Sequence, residues 1–226
     1  MLIEFRVTNF RSFRDTQVFS MVADSGKEHL DTHTFDSGIL TARKRLVASA
    51  ALYGANAAGK TNMLKALQFM QSVVVGSAAS NPIAPVPHSP FKFDLLTQNA
   101  PSEFGVTFAD PESHVYYEYA FSLDANRIHH ESLIEHRTKP RRIFERTYDP
   151  ANGDYNWKLT KGLKGNKMVW RDATRPNALF LSTAVQFNSM QLLPIFHWFQ
   201  KRLVAIVGHS TFNLGLTLKL LDQDNG

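Results

Sequence analysis

The stretch "LYGANAAGKTN", Leu52 to Asn62, decides how the rest of the chain is read. Gly54, Ala55, Asn56, Ala57, Ala58, Gly59, Lys60 and Thr61 fit the pattern G-x-x-x-x-G-K-[ST] at every fixed position. Each fixed residue has a physical task. The glycines permit backbone dihedrals that turn successive N–H groups inward, forming a nest for phosphate oxygens at a helix N-terminus. Lys60 is expected to place its ammonium between a β- and a γ-phosphate, and the Thr61 hydroxyl to ligate Mg²⁺.

The flanks supply the context this loop requires. Before it, "RLVASAALYG" is a short apolar run ending in Gly, which predicts a strand buried on both faces of a parallel sheet. After it, Met63, Leu67, Met70 and Val74 recur at i, i+4, i+7 and i+11, one stripe of an amphipathic helix. A GTPase would also need N-K-x-D and D-x-x-G; neither occurs, and the nearest stretch, "NKMV", lacks the carboxylate.

Further outward, Ile3, Phe5 and Val7 alternate with Glu4, Arg6 and Thr8, the period of a half-buried strand. "TNFRSFRD" turns the chain, "TQVFSMVA" reads as a second strand, and Asp24 to Lys44 as a polar surface connection. "SNPIAPVPHSP" holds four of the ten prolines and predicts a linker. Then "FKFDLL", "SEFGVTFAD", "HVYYEYAFSLD", "RIHHESLIEH", "RIFERTYD" and "YNWKLT", separated by turn residues, predict an antiparallel meander. "NALFLST" is a strand-like apolar run, "MQLLPIFHWFQKRL" is expected to be helical despite Pro194, and "LVAIVG" to be a last strand.

Composition narrows the function classes. With 43% apolar residues and 12% aromatics the chain can bury a core, and the absence of cysteine excludes disulfides, cysteine-ligated zinc, Fe–S clusters and thiol nucleophiles. The N-terminus carries charge at positions 4, 6 and 11, and no eighteen apolar residues run together, so a cytoplasmic protein with no membrane partner is expected. The net charge of +5 is uneven: Arg137 to Arg175 holds eleven Lys/Arg against four Asp/Glu, a net of +7, which leaves −2 elsewhere. That segment reads either as a solvated face or as a contact for nucleic acid. Its stretch "YNWKLTKGLKGNKMVWR" interleaves Lys with Trp157 and Trp170, as base stacking would need, or as a lysine-edged hairpin with buried Trp would show. His129, His130, Glu131 and His136 invite a metal reading, but on a strand His130 points away from His129 and Glu131, and no second cluster completes a site.

"VTNFRSF" together with "YGANAAGKTNMLKAL" resembles the ABC-type ATPases of the SMC and RecF kind, and more closely the AAA-type ATPases of bacterial abortive-infection and anti-phage systems, relatives of the OLD family. "PFKFD", "YEYAFSLDANRIHHESL", "IFER", "NALFLSTAVQFN" and "HWFQKRL" look like that family's N-terminal half, in order, so the resemblance covers nearly the whole chain. It implies an α/β fold, a P-loop NTPase core like an ABC-ATPase head with an inserted antiparallel β-subdomain. Residues 1–90 would form the first part of the core, 91–160 the β-subdomain, and 161–226 the return to the core and the start of a helical region.

The resemblance implies ATP and Mg²⁺ as cofactors, with Arg11 and Ser12 near the nucleotide, Asn56 and Asn62 at family positions of the loop, and Gln186 contacting Mg²⁺ or the attacking water. It implies a homodimer or higher oligomer through the heads, in anti-phage defence or DNA metabolism, controlling DNA or an effector such as a TOPRIM-type nuclease. No apolar run ending in Asp-Glu, no Leu-Ser-Gly-Gly loop and no switch histidine follow, so an incomplete ATPase is expected, with hydrolysis completed by parts outside these residues. A non-hydrolysing nucleotide-binding scaffold, and a DNA-binding module using residues 137–175, are the alternative readings.

Overall fold

The alternation at the N-terminus builds the first strand. In the computed structural model, which describes residues 1–26, 29–38, 45–110 and 115–206, β1 (Leu2–Thr8) buries Ile3, Phe5 and Val7. β2 (Gln17–Ser20) folds back on one edge of β1. The other edge takes β5 (Ser102–Asp110), followed by β6 (Val115–Leu123), β7 (Ile128–His136), β8 (Pro140–Asp149) and β9 (Asp154–Leu159). The seven strands run β2-β1-β5-β6-β7-β8-β9, and every pairing is antiparallel. The N-terminal strand and the meander therefore share one sheet, with Phe5 opposite Val106.

One face of this sheet is apolar and carries Phe5, Phe104, Phe108, Tyr119, Phe121, Leu133 and Phe144, all at most 2% exposed. Each such side chain contributes about 1.5–3 kcal/mol by leaving water. Against that face pack α2 (Lys60–Gly76), α5 (Phe180–Gln186), α6 (Leu193–His197) and a π-helical turn, Trp198–Arg202. α2 buries Ala66, Met70, Val73 and Val74, while Met63 and Leu67 are partly buried against the same core, so the predicted stripe does face inward. The Gln71 amide donates to the carbonyls of Phe199 and Leu203 at 2.7 and 2.6 Å, tying α2 to the end of the π turn. α4 (Lys167–Ala173) adds the buried Trp170.

Several segments differ from their sequence reading. The strand expected before the Gly-rich loop, in a parallel sheet, is reduced to β4 (Leu46–Val47), which pairs antiparallel with β3 (Thr34–Phe35). Ala48 to Ala58 are exposed: the Ala48 N–H still donates to the His33 carbonyl at 2.9 Å, and beyond it no described strand pairs with the segment. Within Asp24 to Lys44, α1 (Leu30–His33) precedes β3, and positions 27–28 and 39–44 lie outside the described residues. "FKFDLL" is not a strand: the Asp94 carboxylate accepts from the Leu96 N–H at 2.9 Å and caps α3 (Leu95–Gln98).

"NALFLST" becomes helix α5 rather than a strand, because the Glu131 carboxylate on β7 accepts from its first two N–H groups. Pro194 is accommodated in the first turn of α6, where its missing N–H is not needed. Residues 203–206 form no strand, and the rest of "LVAIVG" and the tail "TLKLLDQDNG" lie outside the described residues. Among the described residues no helix is long and apolar enough to cross a membrane.

Candidate nucleotide site

The Gly-rich loop ends at Gly59, which caps α2 with φ +94°, a left-handed conformation that favours glycine. A Cβ there would lie 2.8 Å from Phe13 Cε1 and 3.1 Å from Ser12 Oγ, so both the backbone and the space require glycine. Ala57 also sits at positive φ, +66°, which costs an L-residue about 1–2 kcal/mol and marks a loop held by its surroundings. The Lys60 ammonium donates to the carbonyls of Gly54 at 2.6 Å and Ala55 at 2.7 Å. Two of its three donors thus tether the cation to the loop, and one is left over.

α2 is seventeen residues long and has no acidic side chain in its first turn. The Asn62 and Met63 N–H groups donate to the Gly59 carbonyl at 2.8 and 3.2 Å, so the N–H groups left without an intrahelical partner are those of Lys60 and Thr61, and the positive end of the dipole is not neutralised. Gly54 to Ala58 and Thr61 are exposed. A tethered lysine, open helical N–H groups and a glycine whose Cβ would not fit are the donor set and the shape that a bound polyphosphate requires.

The N-terminal turn is built to meet this loop. Asn9 is buried at positive φ, +51°, and its amide donates to the carbonyls of Thr97 and Ala100, both at 2.8 Å, and of Pro101 at 3.2 Å. Its Oδ1 accepts from the Phe91 N–H at 2.9 Å. Phe10 and Phe13 exchange backbone hydrogen bonds of 2.9 Å, and Phe10 packs on Phe69 and Phe104. The Arg11 N–H donates to the Ser89 carbonyl at 2.8 Å, which anchors the turn to the proline-rich segment. So fixed, the turn presents Ser12, whose hydroxyl accepts from the Asn62 amide at 2.8 Å, and Phe13, whose ring covers Gly59.

Of the residues singled out in sequence, the structure gathers Gly54 to Asn62 and Ser12, with Arg11 beside Ser12 and its guanidinium 5.5 Å from the Phe10 ring centre. Gln186 is elsewhere. It is exposed at the end of α5, which meets α2 through Ser182 on Val74 and Leu179 on Ser77. Those contacts lie in the last turns of a helix about 25 Å long whose other end carries the loop. Asn9 and Phe13 were missed. The signal lay in "TNFRSF" itself, where an Asn opens the turn and Phe13 follows Phe10 at an odd spacing that the two-residue strand period does not give.

The histidine and acidic cluster resolves into separate contacts. His129 pairs with Asp124 at 2.8 Å, His130 lies against the hydroxyls of Thr147 and Ser132, and His136 lies 2.9 Å from Glu118. Burial pushes His130 below the usual histidine range, only partly offset by Glu145 and Glu131. Glu131 is fully buried. Its carboxylate accepts from Tyr119 OH at 3.0 Å and from the N–H groups of Phe180 at 2.7 Å and Leu181 at 3.0 Å. It caps α5 from a distant strand, which is why an apolar run without its own cap is helical. Burial, followed by the Glu131 charge, pushes the Tyr119 hydroxyl well above its ordinary range.

The stacking role considered for the two tryptophans is not supported by their positions. Trp170 is 4% exposed and donates to the Phe187 carbonyl, and Trp157 packs on Phe180 under the Arg146 guanidinium.

Comparison with known proteins gives one match. The family model described as "AAA domain, putative AbiEii toxin, Type IV TA system" matches residues 49–181, more than half of the chain, from just before the Gly-rich loop through the sheet to the start of α5. No curated protein and no solved structure matches.

Proposed function

The chain belongs to this AAA-domain family, and we infer that the loop Gly54 to Thr61 binds ATP with Mg²⁺. The observation that carries the reading is the Lys60 ammonium, tethered to Gly54 and Ala55 at the open N-terminus of α2. When bound, Mg²⁺-ATP supplies an electrophilic γ-phosphorus and the charge neutralisation that phosphoryl transfer needs. The chain's own groups bind and orient. Loop N–H groups receive phosphate oxygens, Lys60 gives up a carbonyl contact to reach them, and Thr61, next in the same helical turn, offers its hydroxyl to the cation. Asn62 and Ser12 hold the N-terminal turn against the loop, and Arg11 brings a second cation to that edge. Gln186 would join Thr61 at the cation only if α5 moved along α2.

In this reading the chain is an ABC-type, SMC/RecF/OLD-like member. Residues 1–90 and 161–226 make the ATPase core, and 91–160 a β-subdomain built onto the edge of β1. It would work as a head-to-head dimer in phage defence, gating an effector such as a TOPRIM-type nuclease. The described glutamates, Glu4, Glu103, Glu118, Glu131, Glu135 and Glu145, all lie in sheet strands, and none is ion-paired with Lys60. These residues are therefore expected to bind ATP without turning it over.

The test is equilibrium binding of a fluorescent ATP analogue with and without Mg²⁺. Thr61→Ala should lose most of the Mg²⁺-dependent gain and keep metal-free binding, whereas an unchanged Mg²⁺ dependence would remove the role given to Thr61. Phosphate release no greater than that of Lys60→Ala is expected at saturating Mg²⁺-ATP. Release above that control and proportional to protein would place a catalytic group within the chain.

A further inference from the structure

The eleven cations from Arg137 to Arg175 do not act as one face. Arg146 is buried on Glu131, Arg142 and Lys158 both pair with Glu145, and Lys167 donates to the Thr160 carbonyl. Arg171 pairs with Asp172, and Arg175 donates to the carbonyls of Ser77, Ala78 and Ser80 at the end of α2. The five that remain, Arg137, Lys139, Arg141, Lys161 and Lys164, line a single open basin of about 800 Å³. It lies between the β7–β8 connection, the loop after β9 and the residues before α6.

This basin is constructed rather than incidental. Glu135, 5% exposed at its floor, pairs with Arg137 and Arg141 and holds both guanidinium groups in place. Gly162 lets the Arg141 guanidinium approach to 3.2 Å of where a Cβ would be. Gln191 fixes the loop from both sides, accepting from the Lys164 N–H at 2.7 Å and donating to the Gly162 carbonyl at 2.9 Å. The ammonium groups of Lys139, Lys161 and Lys164 have no carboxylate partner among the described residues. Five cations against the two lining carboxylates, Asp110 and Glu135, leave a net of +3 on a fixed frame, a site for an anion with several phosphates.

We propose that this basin binds the backbone of single-stranded nucleic acid. It opens into a second groove of about 340 Å³, with which it shares Asp110, Tyr117, Met190 and Pro194 and which adds Lys201 and Arg202. Cations at one end and an apolar rim, with Met190 76% exposed, suit a strand whose phosphates and unpaired bases are both accessible. A duplex hides its bases from such a rim, and a purely acidic peptide carries no apolar group to place on it. The proposal does not depend on the nucleotide reading, since basin and loop share no residue.

The experiment is fluorescence anisotropy with a labelled twelve-nucleotide oligothymidylate over a salt series, on the whole chain and on Lys139→Gln/Lys161→Gln/Lys164→Gln. Each phosphate neutralised contributes about 0.7 to the slope of log K against log salt, so three to five contacts predict a slope of about −2 to −3.5, and the triple variant should lose about 2 of it. These side chains hold nothing in the fold, so the variant's melting temperature should match wild type, and the triple Lys→Arg variant should keep binding. Lys60→Ala should bind the oligonucleotide normally, which separates this result from any failure of ATP binding. The proposal is overturned if nothing binds at low salt, if the triple variant binds like wild type, or if a duplex of equal length or polyglutamate competes as well as the single strand.

Discussion

Glu131 and Arg146 stand opposite each other on β7 and β8, with Arg146 Nε 3.0 Å from Glu131 Oε2 and both side chains fully buried. The approach is oblique, a contact of charges rather than a hydrogen bond, and the guanidinium reaches the Ala178 carbonyl just before α5. Tyr155 and Trp157 flank it with their rings at 5.1 and 5.5 Å. The carboxylate is meanwhile spent on the first N–H groups of α5. Since α5 bonds to α2 at Val74, and Leu179 just before α5 bonds to Ser77 just after α2, this pair connects the sheet to the helix that begins at Lys60.

Breaking this pair on one side leaves an uncompensated buried charge. Glu131→Ala is expected to destabilise the chain by about 3–5 kcal/mol in urea unfolding, and Glu131→Met/Arg146→Met by much less than the sum of the single changes. Additive costs would mean that the two groups do not act as a unit.

Gly59→Ala adds a methyl group against Phe13 in a backbone region that alanine disfavours. Gly153 has a similar φ, +70°, with nothing near its missing Cβ. Gly153→Ala should therefore cost only the backbone strain, about 1–2 kcal/mol, with ATP binding intact. Gly59→Ala should cost more and lose ATP binding, and pairing it with Phe13→Ala should recover part of the stability. Equal thermal shifts for the two glycine variants would show that Phe13 does not press on the loop.

The hydrogen bonds of the Asn9 side chain go to residues 91–101 and not to the Gly-rich loop, yet they set the turn that meets the loop. Asn9→Ala should leave the part-buried carbonyls of Thr97, Ala100 and Pro101 without this donor, at about 1–3 kcal/mol, and weaken ATP binding through Ser12 and Phe13. Calorimetric titration showing destabilisation with unchanged ATP affinity would confine Asn9 to folding.

Mild acid should destabilise the fold through two buried histidines. Burial holds His88 and His130 below the ordinary histidine pKa of 6.5, and His88 Nε2 is buried without a hydrogen-bond partner. Below about pH 6.5 the unfolded chain binds more protons than the folded one, so their contribution is full above that pH and is lost as pH falls through the depressed folded values. Urea midpoints should drop from pH 7 to about 5, less so in His88→Asn/His130→Asn. A midpoint independent of pH over that range would contradict this assignment.

What the sequence conveyed well was local. The alternation of Ile3, Phe5 and Val7, the stripe on α2 and the fixed positions of the Gly-rich loop are short-range patterns, and each corresponds to an element. The order of the sheet was not legible, because pairing β1 with β5 depends on residues about a hundred positions apart. α5 read as a strand because its cap is supplied by Glu131, 49 and 50 residues away from the N–H groups it accepts. The basic segment likewise read as one patch, since a sequence does not tell which lysines are already engaged by carboxylates or carbonyls. Of the four lysines grouped by spacing, Lys158 and Lys167 are engaged, while Lys161 and Lys164 face the basin.

The central claim, that Lys60 serves the β- and γ-phosphates of ATP, is tested most directly by isothermal titration of Mg²⁺-ATP and of AMP into wild type and Lys60→Ala. A cation aimed at the outer phosphates should make wild type bind ATP far more tightly than AMP, and Lys60→Ala should lose that preference while its fold and melting temperature persist. Lys60→Ala binding Mg²⁺-ATP with wild-type affinity, or wild type binding AMP as tightly as ATP, would contradict the account.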